Sequence, residues 1–193
     1  MKLSPRSFPF IALFSILAAC SSPTSEPAES QQENKDFYPV RAYIAQELKE
    51  LDSLPVAVFR YGVSGQVKDT QLVDKAAFRA MAEKLASPDI SLEPLKKSYQ
   101  ESVYMDNTLN LVTLSYRAKD PSLEIQKLDV YVTPEKDRVK NIYLEKRSEA
   151  GDSVVFSKII WTTGKQLQVT RIVSRQGKED QVIQEKYSWA MPQ

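Results

Sequence analysis

From Tyr99 to Met191 the chain falls into strand-length stretches separated by short gaps of turn-forming residues, and this spacing leaves few folds open. The stretches are Tyr99–Met105, Leu109–Ala118, Glu124–Thr133, Arg138–Arg147, Ser153–Thr162, Gln166–Arg175 and Gln181–Met191. The gaps hold Asp106-Asn107, Lys119-Asp120-Pro121, Pro134 to Asp137, Ala150-Gly151-Asp152, Thr163-Gly164 and Gln176-Gly177-Lys178. A parallel crossover needs a dozen or more residues, so gaps this short make sequence neighbours antiparallel. The expectation is a meander of about seven strands. Alternation supplies a face to bury: Val112, Leu114 and Tyr116, then Leu128, Val130 and Val132, then Ile142 and Leu144.

A sheet with one apolar face needs cover, and the residues ahead of Tyr99 offer it. Val40, Tyr43, Ile44, Leu48 and Leu51 recur at helical spacing, and only Glu47 breaks the stripe. Asp36 is positioned to cap this helix over Phe37 to Leu51, with Pro39 tolerated in the first turn. Val56 to Val63 is rich in β-branched and aromatic residues and reads as a strand, with Thr70 to Val73 returning as a short one. Asp74 caps a second helix over Lys75 to Ala86, and a short third helix is expected from Ser91 to Ser98. The fold class is α+β: N-terminal helices packed on a curved antiparallel sheet, half-barrel-like, with full closure around a ligand cavity as the alternative.

The first residues differ from everything that follows. Lys2 and Arg6 give a positive start, Phe8 to Leu17 is apolar apart from Pro9 and Ser15, and Leu17-Ala18-Ala19-Cys20 closes the stretch. Positive, apolar and small-residue regions in that order make a secretory signal. The apolar run is too short for the ~20 residues of a spanning helix. The run Leu17-Ala18-Ala19-Cys20 resembles the lipobox of bacterial lipoproteins. That resemblance implies a diacylglyceryl group on the Cys20 thiol, cleavage before Cys20 and acylation of the new amino terminus. By the same resemblance Ser21, in place of Asp, implies transfer to the outer membrane of a Gram-negative cell. One acyl chain holds a protein only marginally, whereas two or three hold it stably, at ~0.8 kcal/mol per buried CH₂.

The domain organisation follows: a signal peptide over 1–19, a lipidated Cys20 with a flexible tether over 20–36, and a single α+β domain over 37–193. The tether, Ser21 to Asp36, has no apolar side chain larger than Ala and cannot offset its ordering entropy by burial. Its ends lie ~20 Å apart on average as a flexible chain. Of 26 basic residues Lys2 and Arg6 leave with the signal, so 24 face 25 acidic ones, a balance that gives no footprint for nucleic acid. The body also resembles, in general style, bacterial envelope lipoproteins without an assigned activity, a likeness that carries no functional residue across.

Chemistry is narrowly bounded. The chain has no histidine and a single cysteine, Cys20. Ser-His-Asp and Cys-His machinery is therefore ruled out, and with Cys20 committed to lipid a zinc site would lack its usual histidine and cysteine ligands. Nucleotide, dinucleotide and Ca²⁺-loop motifs are missing from the sequence. No catalytic residue, metal or cofactor is assigned. The function expected is a non-catalytic binding module for another envelope protein or an apolar ligand. Two alternatives stand beside it: a carrier of lipid or an acyl chain in a half-barrel, and an enzyme using carboxylates or a Ser-Lys pair, which needs no histidine.

One cluster suggests a ligand. If Thr163-Gly164 closes its hairpin symmetrically, Ile160 faces Leu167, Lys158 faces Val169 and Phe156 faces Arg171. Lys158 and Arg171 then sit diagonally on one apolar face with Val154 and Val173, where two cations would attract an anion. Snorkelling of the long stems is the plainer reading, and a bulged three-residue turn would change the register. Trp161 and Trp189 are candidates for a carbohydrate or partner platform, or for buried filler; on this register Trp161 lies opposite Lys158, with Val155 and Ile159.

Overall fold

The computed structural model describes residues 36–189; Cys20, its lipobox and most of the tether lie outside the described residues. The body is a nine-stranded antiparallel sheet with two α-helices, and the sheet is open. The elements run α1 (Val40–Ser53), β1 (Val58–Ser64), β2 (Val67–Val73), α2 (Lys75–Leu85), then β3 (Tyr99–Asp106), β4 (Leu111–Ala118), β5 (Ile125–Thr133), β6 (Arg138–Ala150), β7 (Ser153–Thr162), β8 (Gln166–Arg175) and β9 (Gln181–Ser188). A single 3₁₀ turn, Leu95–Ser98, stands where a third helix was expected.

Strands β3 to β9 form the expected meander, each paired with the next. The correction is at the other end. Instead of about seven strands the sheet has nine: β1 pairs with β9 from Phe59↔Ser188 to Ser64↔Ile183 and with β2 on its other side, giving the order β2-β1-β9-β8-β7-β6-β5-β4-β3. The helices are also not both N-terminal to the sheet, because α2 follows the β1–β2 hairpin.

One face of the sheet carries the core. Tyr187, Leu167, Trp161, Ile142, Val130 and Leu114 stand opposite one another in a single row across β9 to β4. Val169, Ile159, Leu144, Leu128 and Tyr116 make the adjacent row. Val40, Ile44, Leu48 and Leu51 of α1 and Phe78 and Ala82 of α2 bury against these rows. Phe78 is at the centre, with ring centroids 5.4 Å from Tyr187, 5.3 Å from Trp189 and 6.4 Å from Trp161. Burying a large apolar side chain contributes roughly 1.5–3 kcal/mol, so these rows hold the layers together. Among the described residues the interface is closely packed. A void of about 20 Å³ remains between α1, α2 and β6 to β8, about the room one water needs.

Polar contacts fix the helices on the sheet. The Tyr38 N–H donates to Tyr116 Oη (2.9 Å), and Tyr43 Oη bonds Thr163 Oγ1 (2.7 Å). Glu47, the one interruption of the apolar stripe, accepts from the Gly164 N–H (2.8 Å) at the β7–β8 turn. Asp74 caps α2 through the Ala76 and Ala77 N–H groups. Asp36 does not cap α1: Pro39 occupies that position without a side-chain bond, and Asp36 pairs with Lys96 instead (3.3 Å). A lysine from elsewhere serves each helix C-terminus, where the exposed carbonyls favour a cation. Lys75 Nζ reaches Leu51 O (3.0 Å) and Leu54 O (2.6 Å) after α1, and Lys146 Nζ reaches Leu85 O (3.3 Å) and Ser87 O after α2. No described helix is long and apolar enough to cross a membrane.

Candidate functional site

The β7–β8 hairpin decides where the sequence-derived cations go. Its connection has three residues, Thr163-Gly164-Lys165, with Gly164 at φ +65° and the Lys165 N–H donating to Thr162 O (3.1 Å). A positive φ at this point suits glycine. The extra residue shifts the register by one from the symmetric expectation. Trp161 faces Leu167, Ile159 faces Val169, Lys158 faces Thr170 and Ser157 faces Arg171. Lys158 and Arg171 therefore stand on opposite faces, and the two cations do not form the expected anion pocket. The physical reason is burial: this register puts Trp161, Ile159, Leu167 and Val169 together on the helix-covered face, and a one-residue slip would break that set.

Arg171 belongs to the inner face, at the end of the sheet that carries β1 and β2. It pairs with Glu185, which also takes a bond from Arg60 Nε (2.8 Å); Arg60 Nη1 in turn reaches Asp69 (2.8 Å). Charges alternate along this row, and each cation has a carboxylate. Burial pushes the Glu185 carboxyl up, but the bonds from Arg171 and Arg60 and their charges outweigh it and hold it below the usual carboxylate range. A set balanced in this way offers no spare positive charge to an anion.

Lys158 belongs to the outer face, where no described helix packs. There it stands between Glu145 and Thr170 on the neighbouring strands. An open recess of about 350 Å³ lies beside it, lined also by Gln126, Glu145, Lys146, Phe156 and Ser157. The same face carries a polar cluster that sequence reading did not single out. Ser115 Oγ donates to Asp129 Oδ1 (2.7 Å), Lys127 Nζ pairs with Asp129 Oδ2 (2.6 Å), and the Lys127 ammonium sits 5.2 Å from the Tyr143 ring centroid. Tyr143 Oη donates to Glu145. Burial and the neighbouring Glu145 carboxylate raise the Tyr143 phenol well above its ordinary range, so it stays protonated. Asp129 is only 3% exposed despite lying on the helix-free face.

The outer surface thus combines a rigid polar patch with exposed apolar groups, including Ile160, Phe156, Tyr61 and Phe59. A signal for the patch was present: Lys127, Asp129 and Tyr131 alternate with Leu128, Val130 and Val132, which places them together on the far face. The Ser115–Asp129 partnership had none, since it depends on the β4–β5 register. Chemically, Asp129 is neutralised by Lys127 and already holds the Ser115 hydroxyl, an arrangement that rigidifies the sheet. Among the described residues no cluster of carboxylates or other ligands is placed to hold a metal.

The two tryptophans are buried, adjacent and inside. Their ring centroids are 5.2 Å apart, and neither indole is available as a surface platform. Compared with protein-family models, with curated proteins and with solved structures, the chain gives no match.

Proposed function

We propose that this protein is a lipid-anchored component of the bacterial cell envelope, held through Cys20 at the outer membrane, whose body is a non-catalytic module that binds another envelope protein. The anchor reading rests on Leu17-Ala18-Ala19-Cys20 and its positive, apolar lead-in. The observation that favours a protein partner over a carried lipid is the packing between helices and sheet. A drug-sized ligand needs a cavity of several hundred Å³, and the void between these layers is about 20 Å³. The finer shape we propose, a half-barrel, is one whose hollow the helices fill.

The surface available to a partner is the helix-free face, where fixed polar groups lie among exposed aromatic and aliphatic side chains. Interfaces favour this mixture, with aromatic anchors inside a polar surround. The experiment has two arms. Labelled palmitate should enter the wild-type chain and not Cys20→Ala, and Cys20→Ala should leave the membrane fraction. An unlabelled wild-type chain overturns the anchor. Titrating the protein with a fluorescent fatty acid should give no saturable signal, whereas stoichiometric uptake overturns the protein-binding reading in favour of the carrier.

A further inference from the structure

Among the described residues the sheet ends in two unpaired edges, and they differ. β3 turns Glu101 onto the inner face, where its Oε1 is buried without a hydrogen-bond partner, and the 3₁₀ turn Leu95–Ser98 leads directly into the strand. An inward-facing charge is one of the ways proteins keep an edge from pairing. β2 also has an inward carboxylate, Asp69, but Arg60 neutralises it at 2.8 Å and Gln71 Nε2 bonds it at 3.0 Å. β2 pairs with β1 through seven consecutive residues without a bulge and contains no proline. Val67 and Leu72, at 71% and 70% exposure, are the most exposed large apolar side chains among the described residues, and both are on β2. Nothing described covers the outer edge of β2.

We infer that β2 pairs with β2 of a second copy of this chain, antiparallel about Thr70, making one continuous sheet across two protomers. The argument for a second copy is the strand's own sequence, Val67-Lys68-Asp69-Thr70-Gln71-Leu72-Val73. Folded against itself about Thr70, it sets Thr70 opposite Thr70, Asp69 opposite Gln71, Lys68 opposite Leu72 and Val67 opposite Val73. No like charges stand directly opposite one another, and the two Asp69 carboxylates, which are diagonal neighbours, are each held by their own Arg60. Asp69 gains an amide donor, the two threonines make a favourable cross-strand pair, and apolar residues meet at both ends. Leu72 also extends the Phe59–Leu72 pair on the outer face, so the join carries side-chain burial as well as backbone bonds. A symmetric contact of this kind closes at two copies, because each β2 edge is used up by the other.

The test uses the full-length chain as it is expressed in cells. Thr70→Cys places a thiol opposite its own mate and should give a disulfide-linked dimer under mild oxidation. Wild type, whose one cysteine is Cys20, sets the background of disulfide-linked dimer, and Tyr104→Cys on the β3 edge should not exceed it. Leu72→Lys puts two lysine pairs across the join and should weaken association about tenfold. Lys68→Glu combined with Leu72→Lys restores opposite charges and should recover the Thr70→Cys cross-link. A Thr70→Cys chain that stays monomeric while its circular dichroism matches wild type overturns the inference. So does a Thr70→Cys cross-link indifferent to Leu72→Lys, or one formed to a different polypeptide. These outcomes are independent of Cys20 acylation and of fatty-acid binding, so either proposal can fail alone.

Discussion

Gly62 stands directly opposite Asp69 across the β1–β2 ladder, and a β-carbon built on Gly62 would collide with the Asp69 carboxylate and come within 3.0 Å of Arg60 Nη2. The glycine leaves the room in which Arg60 crosses from Glu185 to Asp69. Gly62→Ala should therefore displace Asp69 and break one end of the charge row. The Asp69 carboxylate is the end of a flexible, part-exposed side chain, so the loss should be at most about 1 kcal/mol by urea unfolding. Asp69→Asn should cost less, because it removes the ionic bond without the steric push. Equal stability of Gly62→Ala and wild type would show that the row has space to spare.

Lys146 holds the end of α2 from the middle of β6. Its side chain is only 10% exposed, and its ammonium meets Leu85 O, Ser87 O and Glu124 Oε1 (2.9 Å). Lys146→Met keeps most of the stem and removes every one of those bonds. Bonds to a charged group contribute about 1.5–3 kcal/mol, so the variant should unfold about 2 kcal/mol more easily. Amide exchange should quicken first in Ala82 to Ala86. Loss of stability with unchanged exchange in α2 would place the effect elsewhere.

The central aromatic cluster makes a sharper demand. Trp161 is buried by Phe78 and Trp189, and its indole N–H has no hydrogen-bond partner among the described residues. The residue is thus present for its volume. Trp161→Phe should stay within about 1 kcal/mol of wild type, since the lost contacts are offset by removal of an unsatisfied donor. Trp161→Ala should lose about 3–5 kcal/mol through the cavity it opens. Near-ultraviolet circular dichroism should lose the signal of the paired indoles in both variants, and calorimetry should separate their stabilities.

Much of the body could be read from periodicity. The β7 and β8 boundaries agree with the sequence reading, and Asp74 caps α2 as expected, because alternation and capping are local. What stayed hidden was set at longer range. β1 joins β9 across 119 or more positions, from Ser64↔Ile183 to Phe59↔Ser188, and no local pattern announces it. Lys158 and Arg171 were placed together because a two-residue turn was taken for Thr163-Gly164. The third residue, Lys165, is added so that Trp161 and Leu167 can meet under α1 and α2. Glu47 looked like a flaw in a stripe until the turn that it caps was in view.

Two glutamates on the same sheet face should respond to acid in opposite directions. The Glu185 carboxyl lies below its ordinary range: burial raises it, but Arg171 and Arg60 overcome that. A lowered folded-state value adds stability that is present above the unfolded value and disappears as pH falls through the folded one. Glu185→Gln should therefore cost about 2 kcal/mol at neutral pH and very little at acid pH, where wild type has lost the same contribution. The Glu101 carboxyl is raised, mainly by burial, with Tyr116 and Lys96 only partly opposing the shift. Its ionised form is the disfavoured one in the folded chain, so ionisation removes stability as pH rises from the ordinary carboxylate range through the raised value. Glu101→Gln should then be more stable than wild type at neutral pH, and that advantage should vanish on acidification. Urea unfolding of both variants across this range is the check, and parallel pH profiles for the two would contradict the opposite environments described for them.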